Sequence, residues 1–113
     1  MHELAITQGV VDAVTERTGG APVAVVRVRV GRLAGVVPDA MRFCFELVTA
    51  GTPLEGASLE FDQPAGRGHC RTCGEELLLA DLVLLCACGS ADVEVLAGRE
   101  LAVASVVLAG PGS

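Results

Sequence analysis

Aromatic side chains are scarce in this chain of 113 residues, which contains no tryptophan, no tyrosine and only three phenylalanines. Proteins that bind single-stranded nucleic acid stack the bases on such side chains. Basic residues are also few, since 8 of them stand against 14 acidic residues and the formal net charge is -6. Binding to a phosphate backbone depends on neutralisation by Lys and Arg. We therefore expect no nucleic-acid partner, and the acidic balance suits metal cations or basic protein surfaces instead.

Long apolar runs are also lacking. The longest stretch without a charged residue, 101–113, contains Gly and Pro, whereas a membrane-spanning helix needs about 20 apolar residues. The chain does not open with a basic segment followed by an apolar one, as a signal peptide would. We expect a cytoplasmic protein without a membrane partner. In that compartment, clustered cysteines favour a bound metal over disulfides.

Histidine occurs only twice, at His2 and His69, and no pair of carboxylates stands out. General acid–base catalysis draws mostly on these groups. We therefore expect a protein that is not an enzyme of this kind.

The hydrophobic pattern predicts the regular elements of the chain. Apolar residues recur every four positions over 4–18, which predicts an amphipathic helix with Leu4 on its apolar side, ended by Gly19-Gly20. Alternation over 23–30 predicts a strand with valines on one face and arginines on the other. Pro38 suits the first turn of a second helix. The buried stripe of that helix is expected to contain Met41, Cys44, Phe45 and Val48.

Two further strands are predicted, at 58–62 and 100–108. The acids of the first are expected to face arginines of the preceding strand if the two pair, with Glu60 and Asp62 opposite Arg27 and Arg29. The second is rich in valine and apolar on both faces, so the core pattern resumes after the cysteines. We predict an α+β fold in which two helices lie on a small three-stranded sheet, residues 1–66 plus 99–113. A zinc-ribbon-like module, residues 67–98, is inserted before the last strand.

Four cysteines form two closely spaced pairs in this module, Cys70-x-x-Cys73-Gly and Cys86-x-Cys88-Gly. Four thiolates at tetrahedral angles suit Zn2+, and the glycines permit tight turns beneath the metal. Four protein ligands leave no open position, so such a site is structural and folds only with metal bound. His69 lies next to Cys70 and can replace a weak fourth thiolate, although a solvent-facing position explains this residue better. Leucine runs between the pairs, at 77–79 and 82–85, predict a short hairpin.

Other roles for the cysteines stay open at this point. A redox dithiol and disulfides are the alternatives to zinc. The fifth cysteine, Cys44, lies on the apolar stripe of the second helix and is expected to be a small buried hydrophobe.

The first three residues offer a second set of donors. The Met1 amine, the backbone nitrogen and imidazole of His2, and a donor from Glu3 can surround one ion. A nitrogen-rich, planar set suits Ni(II) or Cu(II) better than Ca or Mg. The amine must be unprotonated, and its reference pKa is about 7.7–8.0, so binding is expected to weaken as the pH falls. On composition alone, chance explains His2 better than a metal site does.

Several segments, in this order, resemble one known family. They are MHEL, GRLAGVVPDAMRFCFELVTAGTPLEGASLE, CRTCG followed by CACGS, and GRELAVASVVL. Over nearly the full length the chain resembles the HypA/HybF family, the nickel-delivery accessory proteins of [NiFe]-hydrogenase maturation. The family usually has CxxC in the second pair, so the CxC at Cys86 and Cys88 is a departure.

The resemblance implies a nickel metallochaperone with a nickel domain and a zinc domain. It carries nickel binding onto His2, with Met1 and Glu3 as neighbouring donors. It carries structural zinc onto Cys70, Cys73, Cys86 and Cys88. It also implies two partners, the hydrogenase large subunit and a maturation GTPase, and leaves a homodimer open. Asp39, near the position of an acid in some relatives, is sufficiently explained by its place at a helix start.

Two alternative functions remain at this stage. One is a zinc-ribbon adaptor that binds protein and has no nickel function. The other is a thiol oxidoreductase that uses Cys70 and Cys73.

Overall fold

The computed structural model describes residues 2–110 of the chain, and of His2 the backbone alone. The described chain divides into two compact units, of which one holds the residues up to 28, 36–61 and those from 102 onward, and the other holds 29–35 and 62–101. Neither helix has the length and the apolar run that crossing a bilayer requires. The elements in chain order are α1 (His2–Thr18), β1 (Val23–Val30), α2 (Pro38–Thr49), β2 (Ser58–Asp62), β3 (Gly66–Cys70), β4 (Glu76–Leu79), β5 (Val93–Ala97) and β6 (Leu101–Leu108).

The helix α1 spans His2–Thr18 and so begins two residues before the predicted start. Val10, Val11 and Val14 are buried, as their spacing indicates. Leu4 differs from the expectation, because about half of its surface is exposed. It lies in the first turn, where the helix covers less of the core than in its middle.

The helix α2 begins at Pro38, as predicted, with Val37 as its N-cap residue. Met41 and Phe45 are buried. Cys44 and Val48 lie at the margin of the stripe and are half-buried. Each directly precedes a buried residue, Phe45 or Thr49, and therefore lies about 100° around the helix from it, which leaves its burial partial.

The first sheet has the strand order β2-β1-β6. The predicted ion pairs form, with Arg27 and Glu60 at 2.8 Å and Arg29 and Asp62 at 3.1 Å. Both pairs join residues 33 positions apart, which means that β1 and β2 run in the same direction. Parallel neighbours need a crossover, and α2 supplies it.

The strand β6 differs from the prediction in its burial. Its apolar pattern predicted a core strand, yet most of its side chains are exposed, including Leu101, Val107 and Leu108. The sheet order gives the reason, since β6 lies at an edge and has a neighbour on one side only.

The second sheet has the order β4-β3-β5 and is antiparallel throughout. The predicted hairpin between the leucine runs 77–79 and 82–85 is wrong, because 82–85 forms no strand. The strand β4 pairs instead with β3, with Gly68 opposite Leu77. Two strands were therefore missed by the sequence analysis, β3 and β5.

Backbone segments of the second unit approach closely at its glycines. Leu33 donates its N–H to the carbonyl oxygen of Gly98 at 2.7 Å. Gly98 has φ +116°, and a Cβ there would lie 2.5 Å from the Cα of Gly66. The contact therefore requires glycine on steric grounds as well as for its backbone angle.

A pair of glycine variants separates these two causes. Gly35 also has a positive φ, +75°, but a Cβ there meets nothing within 4 Å. Both Gly35→Ala and Gly98→Ala force a left-handed backbone, which costs about 1–2 kcal/mol. Gly98→Ala also overpacks the contact with Gly66, so we expect it to lower the free energy of unfolding by about 1–3 kcal/mol more. Denaturant unfolding of the two variants measures the difference, and equal losses would refute the steric account.

Candidate metal centre

Two tight turns present the cysteine pairs. In the first, Gly74 donates its N–H to the carbonyl of Cys70 at 2.8 Å, and Cys70 donates to the carbonyl of Glu75 at 2.9 Å. In the second, Gly89 donates to the carbonyl of Cys86 and Cys86 to that of Ser90, both at 2.9 Å. Gly74 and Gly89 have φ of +81° and +93°, a conformation that glycine adopts without strain. Each pair of thiols thus projects from a turn whose shape the following glycine permits.

The four sulfur atoms converge on one point. All of them lie within 4.8 Å of one another. Cys70 and Cys88 are 3.7 Å apart, and Cys73 and Cys86 are 3.6 Å apart. A tetrahedron with metal–sulfur bonds of about 2.3 Å has sulfur–sulfur edges of about 3.8 Å. A disulfide needs a sulfur–sulfur distance of about 2.05 Å, and all four cysteines are free. The observed distances therefore fit a tetrahedral metal site.

Interactions between the two turns hold the pairs together. Arg71 forms an ion pair with Asp92 at 2.7 Å and lies 3.9 Å from Glu94. The hydroxyls of Thr72 and Ser90 are 2.8 Å apart. These contacts were missed by the sequence analysis, although Thr72 lies inside the first cysteine pair and Ser90 closely follows the second. Short hydroxyl side chains in such turns could have indicated a contact between the turns, because they can form hydrogen bonds with nearby backbone groups and with each other.

Backbone N–H groups make Cys70 the most acidic of the thiols with a resolved shift. Hydrogen bonding from the Cys73 N–H, helped by that of Thr72, outweighs the effect of burial and lowers the pKa of Cys70 to about 6. Cys70 is therefore a thiolate at neutral pH even without a metal.

The exposed member of each pair behaves in the opposite way. The Glu75 N–H lowers the pKa of Cys73, but the hydrogen-bonded sulfur of Cys86 and burial raise it to about 12. The Ser90 N–H lowers the pKa of Cys88, yet the Cys86 sulfur and burial raise it above its ordinary value. The same physical cause raises both pKa values: a second thiolate beside the first is unfavourable until a cation neutralises the two charges.

A small core supports the sulfur cluster from beneath. Cys70 and Cys86 are buried together with Leu33, Leu79 and Val93. Cys73 and Cys88 are exposed. The donor set contains only thiolates, which favour Zn2+ among the metals of tetrahedral sites. With four protein ligands, no position is left for substrate.

His69 does not belong to the four-residue group. It lies on β3, opposite Glu76 on one side and Glu94 on the other. The shortened second pair, Cys86 and Cys88, completes the cluster without it.

At the other end of the chain, Met1 and the imidazole of His2 lie outside the described residues. Glu3 lies in the first turn of α1, where its carboxylate accepts the N–H of Val37 at 3.3 Å. The N–H groups of Glu3 itself and of Val37 hold the pKa of the Glu3 carboxyl below its ordinary value. The carboxylate is therefore charged and held near the start of α2.

Asp39 and Cys44 take structural places in α2. Asp39 lies in the first turn, 3.4 Å from the guanidinium of Arg42. Cys44 is a free, half-buried cysteine.

Comparison with known proteins decides the family. A family model described as "Hydrogenase/urease nickel incorporation, metallochaperone, hypA" matches residues 1–108. The chain belongs to the HypA family. The matched range includes both the first three residues and all four clustered cysteines, so the two candidate sites lie inside the family region. The family description names nickel incorporation into hydrogenase or urease by a metallochaperone, which is not a catalytic role.

Curated relatives of this HypA-family chain match over almost their whole length. The hydrogenase maturation factor HypA of Nostoc punctiforme is 44% identical over 106 residues, which cover 94% of each chain. That of Geotalea uraniireducens is 46% identical and covers 91% of this chain and 94% of its own. That of Chlorobaculum tepidum is 41% identical and covers 96% and 99%.

Solved structures confirm the predicted fold. The solution structure of the Ni metallochaperone HypA from Helicobacter pylori aligns with a TM-score of 0.62 at 15% identity, covering 94% of this chain and 96% of that one. A second HypA solution structure gives the same TM-score at 17% identity. At such identities the likeness shows the fold alone, and the fold is the predicted one of two helices with small sheets.

The raised thiol pKa values predict steeply pH-dependent metal binding. Cys73 and Cys88 hold protons in the metal-free chain at pH 7, so each bound ion displaces at least two protons. Affinity is then expected to rise by at least about 100-fold per pH unit between pH 7 and 8. The dependence should steepen further below about pH 6, where Cys70 also gains a proton. Competition with a chromophoric zinc chelator of known pH dependence measures this. The Cys44→Ser variant should show the same slope, and an affinity independent of pH would contradict the proton-displacement account.

Proposed function

We propose that this protein binds Ni(II) at its N-terminus and delivers it to the large subunit of a [NiFe]-hydrogenase. The observation that carries the proposal is the family match over residues 1–108, which includes the MHEL start together with the cysteine motifs. The proposed donors are the imidazole of His2, the amine of Met1, and the carboxylate or backbone nitrogen of Glu3.

The position of Glu3 supports such a site. Its carboxylate is tied to the N–H of Val37, so the first turn of α1 is held near the loop that precedes α2. A site built from a few donors at a chain end binds its ion firmly but leaves coordination positions accessible. A cargo metal needs both properties, because it must be retained during transport and then released to a partner.

The cysteine cluster is proposed to hold one structural Zn2+ through Cys70, Cys73, Cys86 and Cys88. The support is the convergence of four thiols with the edge lengths of a tetrahedral site. When bound, the ion neutralises the thiolates and cross-links the two turns. We further propose that residues 1–66 plus 99–113 carry nickel and that residues 67–98 carry zinc.

The proposed partners follow from the role. They are the hydrogenase large subunit as acceptor and a maturation GTPase that supplies or gates the metal, with a homodimer as a further arrangement to test. We propose action in the cytoplasm without a nucleic-acid or membrane partner, in keeping with the net charge of -6 and the absence of Trp and Tyr.

Nickel titration of zinc-loaded protein tests the N-terminal site. A Gly-Ser extension before Met1 removes the terminal amine and keeps the His2 and Glu3 side chains. We expect the native protein to show a planar Ni(II) spectrum and the extension to abolish it. His2→Ala should weaken binding by on the order of 100-fold or more, since even outer-shell partners of a metal ligand are worth about 10–100-fold.

Each variant at the proposed nickel site has a matched control at another residue of the same type. His69→Ala removes the other histidine, which lies on β3, and should leave nickel affinity unchanged. Glu3→Gln tests whether the Glu3 carboxylate is a nickel ligand, and Glu16→Gln, on the same helix, is its matched control. Equal binding by the native and extended proteins would exclude the amine as a ligand. No nickel binding by the native protein would favour the zinc-ribbon adaptor instead.

Metal analysis tests the zinc site separately. The protein purified without added nickel should contain one zinc per chain. Cys70→Ser and Cys73→Ser should each lower zinc affinity by at least about 10–100-fold, whereas Cys44→Ser removes a cysteine outside the cluster and should keep the zinc. Zinc retained by both cluster variants, or reactive free thiols at the cluster of native protein, would contradict the assignment and favour the thiol oxidoreductase.

A further inference from the structure

The strand β6 forms an edge of the first sheet and lacks the usual protection of such edges. Its eight residues, LAVASVVL, include no charged residue, proline or glycine. Natural edge strands are guarded by lysines, prolines, bulges or short length, because an open row of N–H and C=O groups pairs readily with another strand. Val107 and Leu108 are each about half exposed. In the described chain, β6 is hydrogen-bonded to β1 alone.

A groove of about 550 Å³ runs between β6 and the second half of α1. On the helix side it is lined by Ala13, Val14, Arg17 and Thr18. On the strand side it is lined by the consecutive residues 103–106 and by Leu108. Successive side chains of a strand point to opposite faces, so a lining of consecutive residues places the groove along the open edge of β6.

One positive charge stands on the wall of this groove. Arg17 is the only charged residue among the lining residues. Its guanidinium is exposed and has no ion-pair partner within the described chain, in contrast to Arg27, Arg29 and Arg71. An unpaired guanidinium on a protein of net charge -6 is a local site for a carboxylate. The hydroxyl of Ser105 offers a further polar contact on the strand side.

We propose that the groove binds an extended segment of a partner protein, which adds as a further strand beside β6. The segment is mainly apolar at alternate positions and carries a carboxylate that pairs with Arg17. Main-chain hydrogen bonds supply affinity in this mode of recognition, and the side-chain contacts supply specificity. The proposal does not depend on nickel binding.

The charge favours a partner segment over a second copy of this chain. If β6 paired with β6 of another copy, the paired strands would bring no acid to Arg17, since LAVASVVL contains none. Glu100 directly precedes the strand, but its Oε1 is buried beside Gly31 of its own chain. A segment of another protein with an acidic side chain or a C-terminal carboxylate can form hydrogen bonds with the open edge of β6 and an ion pair with Arg17.

A phage library of random decapeptides, selected on the zinc-loaded full chain, tests the proposal. Selected peptides are synthesised with a fluorophore and titrated by anisotropy against native protein and three variants. Arg17→Gln removes the cation, and Ala104→Lys places a guarding lysine on the exposed edge. Arg99→Gln is the matched control, since Arg99 is the other arginine without a hydrogen-bond or ion-pair partner in the described chain.

We expect the selected peptides to alternate apolar and polar residues and to carry Asp or Glu toward one end. Arg17→Gln should weaken their binding about tenfold, the worth of one charge-assisted hydrogen bond at a partly exposed site. Ala104→Lys should weaken it further, while Arg99→Gln leaves it unchanged. Amide chemical shifts should move along β6 and the end of α1.

Peptides whose binding is insensitive to both groove variants, or a library that yields no binder, would overturn the proposal. A concentration-dependent dimer that Ala104→Lys abolishes and that excludes the peptides would overturn it in favour of self-pairing.

Discussion

The convergence of four cysteine sulfurs is the constraint on which the second unit depends. Twelve residues separate Cys73 from Cys86, yet all four sulfurs lie within 4.8 Å. The chain must therefore leave the first turn, run out along β4 and return within this length. The strand β5 then begins at Val93, directly after the second turn. In the sheet order β4-β3-β5, the strand that ends in Cys70 lies between the other two.

The two units reach their stability by different means. In the first, valines of α1 and β1 form an ordinary apolar core, with Val14, Val26 and Val28 almost fully buried. In the second, the buried cluster is small, and two of its five members are Cys70 and Cys86. So little apolar area supplies limited stabilisation, and the raised pKa values of Cys73 and Cys88 show that the thiols resist becoming thiolates together. A bound cation would add the missing stabilisation by cross-linking the two turns, and it would neutralise the negative charge of the thiolates.

Patterns of local origin could be predicted from the sequence, whereas long-range pairing often could not. The strand β1, the start of α2 at Pro38 and the ion pairs of Arg27 and Arg29 follow from alternation and charge, which the chain carries locally. The strand β3, GRGHC, contains two glycines and no β-branched residue, so nothing in its composition favours a strand. It forms because β4 and β5 pair with it on both sides. Residues 82–85 show the reverse, since they are apolar and yet belong to neither sheet of the described chain. The four cysteines could be assigned to one cluster from their spacing, while the contact of Glu3 with Val37 needed the fold.

We propose that a metal on the four cysteines holds the second unit together. Hydrogen exchange followed by mass spectrometry tests it most directly, on the full chain with zinc bound and after removal of all metal by a chelator under reducing conditions. We expect the amides of residues 66–97 to lose their protection on metal removal, while those in the middle of α1 and in α2 keep theirs. Unchanged protection of residues 66–97 in verified metal-free protein would contradict it.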